Sequence, residues 1–220
     1  MRSRNEHLLE LRQVVDQLKA RVDLPQYRNS DKEQDKIVLH FMNRTIQIGE
    51  ACFVASDLAT PVLVLLRVLC EDLILLFWIS RSEENAAGYA KASISDIAKI
   101  ARVNLHGGRA KVVHRSTGED KTEAFLPKVK RLDAPRKRVE TLARDIGLGE
   151  LYDMLYRFAS LEVHANTFGV LSAADADQAL STAFPAINFL LQAIILIADN
   201  RSTAAEEILR VLHIEDVGGR

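Results

Sequence analysis

Only two cysteines, Cys52 and Cys70, occur in 220 residues, and no Cys-x-x-Cys pair exists. This excludes a disulfide framework and a thiolate zinc site of the usual spacing. Both thiols sit in apolar stretches, where they are expected buried and reduced. No run alternates apolar and polar residues in the manner of a half-buried strand. No internal repeat or low-complexity tract is present. Neither sign of charge dominates: the formal net charge of −1 argues against wholesale polyanion binding while permitting a local basic patch. The N-terminus, MRSRNEHLLELRQ, turns charged and amphipathic at once and lacks the apolar core of a signal peptide. A cytoplasmic protein is expected.

Long uninterrupted apolar runs are also missing. The nearest is PVLVLLRVLCEDLILLFWIS, Pro61 to Ser80, which Arg67, Glu71 and Asp72 interrupt near its middle. Each such charge costs about 2.5 to 3.5 kcal/mol at a bilayer centre. INFLLQAIILIA is apolar but shorter than a span. The reading is a central core helix and no membrane partner.

Motifs that would carry familiar chemistry are absent too. The six histidines are scattered, and His106 and His114 have no recognised ligand spacing. There is neither Glu-x-x-His nor His-Glu-x-x-His, and "HGGR" alone is a turn rather than a phosphate cradle. No metal and no cofactor are expected.

What is present is helical periodicity nearly throughout. Leu8, Leu11, Val15 and Leu18 mark a first amphipathic helix ending before Pro25. Ser30 and Glu33 have capping-box spacing and open a second, through about Ala55. Thr60-Pro61 heads the core helix. A fourth covers Ala86 to Asn104, before Gly107-Gly108. Glycines and charges make 105–127 a long loop or mobile insertion. Further helices are expected from Ala134 to Ile146, Gly149 to Val170, Pro185 to Asn200 and Thr203 to about His213. Together they give one all-α domain over 1–220, a bundle of seven or eight helices around the central apolar helix.

The helix from Gly149 is unusual. At about 100° per residue, Tyr156, Ser160, Asp153, His164, Arg157 and Thr167 fall within about 100° of one another, and Met154, Phe158, Leu161, Ala165 and Phe168 gather opposite. Exposed faces normally favour Lys, Glu, Gln and Arg; this one uses poorer helix formers that are kept for partners. A solvated face, a buried network and a functional site are all open. On the core helix Arg67 and Glu71 are four apart, the spacing of an intrahelical ion pair. Alternatively they face Tyr156, Ser160 and His164 across a polar pocket, with Arg67 holding an anion or Glu71 orienting His164.

RVLCE, Arg67 to Glu71, with the later Tyr156-x-x-x-Ser160-x-x-x-His164, resembles a widespread bacterial family of helical proteins of unknown function, over roughly Leu58 to Gly169. A second resemblance is to HEPN domains, whose signature is an arginine, four to six residues, then a histidine. Arg157 and His164 fit the longest spacing, while Phe158 departs from the polar residue often found there. That resemblance implies a metal-independent endoribonuclease of a toxin or phage-defence system, built at a homodimer interface. His164 would move a proton and Arg157 would stabilise charge on the phosphate. The alternative is a non-enzymatic interaction or small-ligand-sensing module.

The charge distribution offers modest support for RNA as a partner, and a solvated helix and loop would carry the same charges. Ala110 to Arg144 holds ten basic and five acidic residues in an otherwise acidic chain. Lys128, Lys130, Arg131, Arg136, Lys137 and Arg138 are its candidate nucleic-acid contacts. Phe125 is the one aromatic available there for base stacking.

Overall fold

The structure, a computed structural model, describes residues 3–130, 134–163 and 173–199. Among the described residues it is all-α, with one isolated bridge, Val113 to Asp120, outside the helices. The chain separates into two compact units: residues 1–83 with 138–220, and residues 84–137.

The first unit is built on α1 (Arg4–Val22), the short α2 (Pro25–Arg28), α3 (Glu33–Val54) and α4 (Ala59–Ser80). After the second unit it continues with α7 (Val139–Asp145), α8 (Gly149–Leu151), a π turn (Tyr152–Tyr156), α9 (Arg157–Val163) and α10 (Ala173–Asp199). Ser3 caps α1 in a reciprocal box with Glu6. Arg4 reaches the α3–α4 turn, bonding the Ser56 carbonyl and Asp57. α4 is the centre of the unit and packs against α3, α7, the π turn, α9 and α10. Its residues Leu66, Ile74, Leu75, Leu76 and Ile79 are buried on several sides, in keeping with its all-round apolar sequence. α1 packs on α3 and α10. Gly49 of α3 permits that approach: a Cβ there would stand 2.5 Å from Val15 Cγ2. At the far end the Tyr27 hydroxyl donates to the Ala198 carbonyl at 2.5 Å, and Arg21 pairs with Asp199 at 2.8 Å.

Several helix boundaries differ from expectation. Ser30 is not the cap of α3; its hydroxyl donates to Asp35 and accepts from the Lys32 amide, while Lys32 occupies the cap position. Pro185 lies inside α10 rather than at its head. An interior proline forfeits one backbone bond, but here packing on α1 and α4 carries the helix through it. α10 also holds Ala176–Asp199, among the described residues the one helix long and apolar enough to cross a membrane. α7 starts later than Ala134 and stops as expected. Gly147, at φ 82°, closes a Schellman turn in which the Leu148 amide bonds Ala143 and the Gly147 amide bonds Arg144.

The second unit contains α5 (Glu83–His106) and α6 (Thr122–Lys130). The irregular segment between them is narrower than 105–127. It spans 107–121 and turns tightly at Gly118, φ 70°. Pro127 sits within α6 instead of marking a loop. The Ala134 amide donates to the Ser95 hydroxyl at 3.0 Å, tying the chain after α6 to α5. Thr203–His213 lies outside the described residues.

Candidate functional site

The site forms where α4 meets the helix from Gly149. That helix is not a regular α-helix: the Arg157 amide bonds back five residues to the Tyr152 carbonyl, giving the π turn. π turns recur at functional positions because they re-aim side chains. Here the turn brings Tyr152 and Tyr156 ring to ring, 4.7 Å between centroids and 17° from parallel.

Arg67 projects from α4 onto this pair. Its Nη2 donates to the Tyr156 hydroxyl at 3.1 Å, and its guanidinium stands 5.1 Å from the Tyr156 ring centroid. Arg157 in turn lies 5.7 Å from the Tyr152 ring centroid. The order Arg67, Tyr156, Tyr152, Arg157 is therefore a continuous cation–aromatic column running from the core helix to the surface. Ser160 donates to the Tyr156 carbonyl at 2.6 Å, fixing the next turn. Burial is the first cause raising the Tyr152 phenol above its ordinary pKa, followed by the Glu140 carboxylate.

The two arginines have opposite surroundings. Arg67 is half-buried and its Nε is buried without a hydrogen-bond partner. No ion pair joins it to Glu71 among the described residues, so the four-residue spacing is not used as a bridge. Arg157 is 57% exposed and pairs with Asp153 at 2.9 Å and Glu140 at 3.1 Å. Arg144 reaches the same two carboxylates at 3.3 and 3.2 Å, closing a ring of two cations and two anions.

The expected division of this helix into a polar and an apolar face is redrawn. Leu151 and Ala159 are buried, with Tyr152, Leu155, Tyr156 and Ser160 half-buried beside them. Met154, 71% exposed, and Phe158, 42% exposed, stand outward with Asp153 and Arg157. The cause is the cation on α4: Arg67 needs polar and aromatic partners, and the tyrosines turn inward to supply them.

A second polar group on α4 gave no signal beyond interrupting the apolar run. Asp72 is 1% exposed, with Arg44 Nε 2.9 Å from its Oδ2, but neither carboxylate oxygen has an aligned hydrogen bond. Burial pushes its pKa from 3.8 to about 7 against the pull of Arg44, and Glu71 adds to the rise. Cys52 and Cys70 are buried free thiols, which burial raises to about 12.

His164 and Arg131 lie outside the described residues, as does the side chain of Lys130. Of the other basic candidates, Lys128, Lys137 and Arg138 are exposed. Arg136 pairs with Asp96 at 3.4 Å and lies 5.9 Å over the Tyr89 ring. Among the described residues no group of three or more His, Cys, Asp or Glu is placed to hold a metal ion. Tyr152 and Glu140 complete the site beyond the residues singled out by sequence, and Asp153, already on the expected polar face, joins it. Tyr152 was detectable as the second tyrosine at a four-residue spacing.

The fold and site define an all-helical protein whose polar cluster joins its core helix to a π-bulged one. The chain belongs to a family described as a family of unknown function (DUF5677), whose model matches residues 35–179, about two thirds of its length. The match contains Arg67, Glu71, Tyr156, Arg157, Ser160 and His164. No curated protein and no solved structure matches.

Proposed function

We propose that the protein is a HEPN-like metal-independent endoribonuclease, acting as a homodimer in a toxin or phage-defence setting. The observation that carries this reading is the outward line Met154, Arg157, Phe158 on a helix whose other side is clamped to α4. Arg157 is positioned by Asp153 and Glu140 while keeping more than half its surface free for a phosphate. Met154 and Phe158 beside it supply apolar surface on which a second copy could close. His164, two turns along by sequence, is assigned the proton transfers: it would accept the ribose 2′-hydroxyl proton and return one to the leaving 5′-oxygen. Arg157 would stabilise the charge that develops on the phosphate oxygens. Lys128, Lys130, Arg131, Arg136, Lys137 and Arg138 would steer RNA without reading its sequence.

The test is cleavage of single-stranded RNA by the full chain in excess EDTA, with DNA of the same sequence as control, since DNA lacks the 2′-hydroxyl. RNA cut by wild type, and cut at least 100-fold more slowly by His164→Ala and Arg157→Ala, is the expected result. Absent cleavage, or equal cleavage by the variants, overturns the reading.

A second reading has its own support: Arg67 carries a cation with no carboxylate partner among the described residues. It makes the column a binding site for a small anion in a non-enzymatic sensing module. Inorganic phosphate that raises the melting temperature of wild type but not of Arg67→Met, in a chain that leaves RNA intact, would favour it.

A further inference from the structure

Four half-buried side chains share one face of α4. At about 100° per residue, Val64, Arg67, Val68 and Glu71 fall within about 100° of one another, whereas Leu63, Leu66, Leu69 and Cys70 between them are buried. The two charges stand one turn apart, a spacing that puts Cβ atoms about 5 to 6 Å from each other. They nevertheless do not pair. Arg67 gives Nη2 to the Tyr156 hydroxyl, and Glu71 makes no ion pair or hydrogen bond among the described residues. Their order is part of the cause, since a cation placed before its acid is the weaker orientation of such a pair. The adjacent acid, Asp72, lies against Arg44 of α3 and takes no part. Of the Arg67 nitrogens only Nε is both buried and unpartnered, so Nη1, which bonds nothing among the described residues, is left open to a ligand.

We propose that this face binds a free α-amino acid, whose carboxylate accepts from Arg67 and whose ammonium donates to Glu71. Charge selects the ligand class. A simple anion on Arg67 would be repelled by the Glu71 carboxylate one turn away, and a simple cation on Glu71 by the guanidinium. In a half-buried setting such repulsion is stronger than in bulk water. A zwitterion answers both groups at once, adds no net charge, and makes two charge-assisted hydrogen bonds. The same polarity fixes its direction along α4, carboxylate toward the N-terminal end and ammonium toward the C-terminal end. Val64 and Val68 stand beside the charged pair as apolar surface for the ligand's own side chain. Tyr156 holds the guanidinium from the other side, with its ring centroid 5.1 Å away. This inference rests on the second reading above, in which Arg67 is the anion-holding group, and names its ligand; it does not require that the chain cleave RNA.

Thermal melting of the full chain with each of the standard amino acids is the first test. At least one should raise the melting temperature by about 5 °C when present about 100-fold above its Kd. Its N-acetyl derivative, which lacks the ammonium, and its amide, which lacks the carboxylate, should leave the melting temperature unchanged. Calorimetric titration of the same amino acid should show at least tenfold weaker binding to Glu71→Gln and to Arg67→Met. Both variants are checked for wild-type helical circular dichroism, and Glu71→Gln, which keeps the shape of the side chain, carries the test if Arg67→Met does not fold. The proposal is overturned if no amino acid stabilises the wild type, if either blocked derivative binds as well as the free form, or if Glu71→Gln binds undiminished. Inorganic phosphate that stabilises the wild type through Arg67 while every amino acid fails would leave the anion reading standing and overturn this one alone.

Discussion

Arg67 and Asp72 are five residues apart on the most apolar helix, yet they meet the cost of burial differently. Arg67 leans on Tyr156, whose hydroxyl accepts its hydrogen bond and whose ring lies beside its guanidinium. Asp72 has a nearby cation but no aligned hydrogen bond, and burial favours its neutral form. Since its folded pKa of about 7 exceeds 3.8, the folded state holds a proton that the unfolded chain releases. This contribution to stability is full below about pH 4 and is lost as pH rises through about 7. Asp72→Asn stays neutral throughout, so its stability relative to wild type should climb by up to about 4 kcal/mol between pH 4 and pH 8. Urea unfolding at the two pH values checks this, and parallel stability curves would contradict it. The sequence marked Arg67 and Tyr156 because charged and hydrogen-bonding groups stood out in apolar helices. It could not mark Glu140 as a partner of Arg157, because that contact joins two separate helical segments and Glu140 looks like an ordinary surface charge, whereas Asp153 stands four residues before Arg157 at a spacing the sequence shows.

At the scale of elements, the strongly periodic helices were legible and the packed exceptions were not. α4 was readable because its apolar residues cover every side, and the end of α7 because Gly147 takes a conformation that L side chains resist. The continuous run of α10 through Pro185 and the helix around Pro127 were not, since tertiary contacts outweigh a proline's local preference. The π turn was equally hidden: a wheel drawn at a constant angle cannot show where one extra residue enters the turn. α1 and α3 offer a direct check on packing. Gly49→Ala improves helix propensity by up to about 1 kcal/mol but drives a methyl into Val15, and overpacking costs about 1 to 3 kcal/mol. A net loss near 1 kcal/mol should lower the melting temperature by about 2 to 4 °C. A stabilised variant would mean that α1 and α3 pack less closely at this point.

For the whole molecule, the first unit is assembled from both ends of the chain with residues 84–137 between them. Arg67 and Tyr156 are 89 positions apart, so their contact exists only when the two parts of that unit are joined. The family match spans both parts and the intervening unit, placing the column within what the family model describes. The junction turns the tyrosines inward and leaves Arg157 outward, so both the proposed anion site and the proposed nuclease site depend on it. A double-mutant cycle of Arg67→Ala and Tyr156→Ala, read by urea unfolding of the full chain, measures it directly. A hydrogen bond and a cation–aromatic contact in a half-buried setting predict a coupling of about 1 to 2 kcal/mol. Additivity of the two substitutions within about 0.3 kcal/mol would contradict the arrangement.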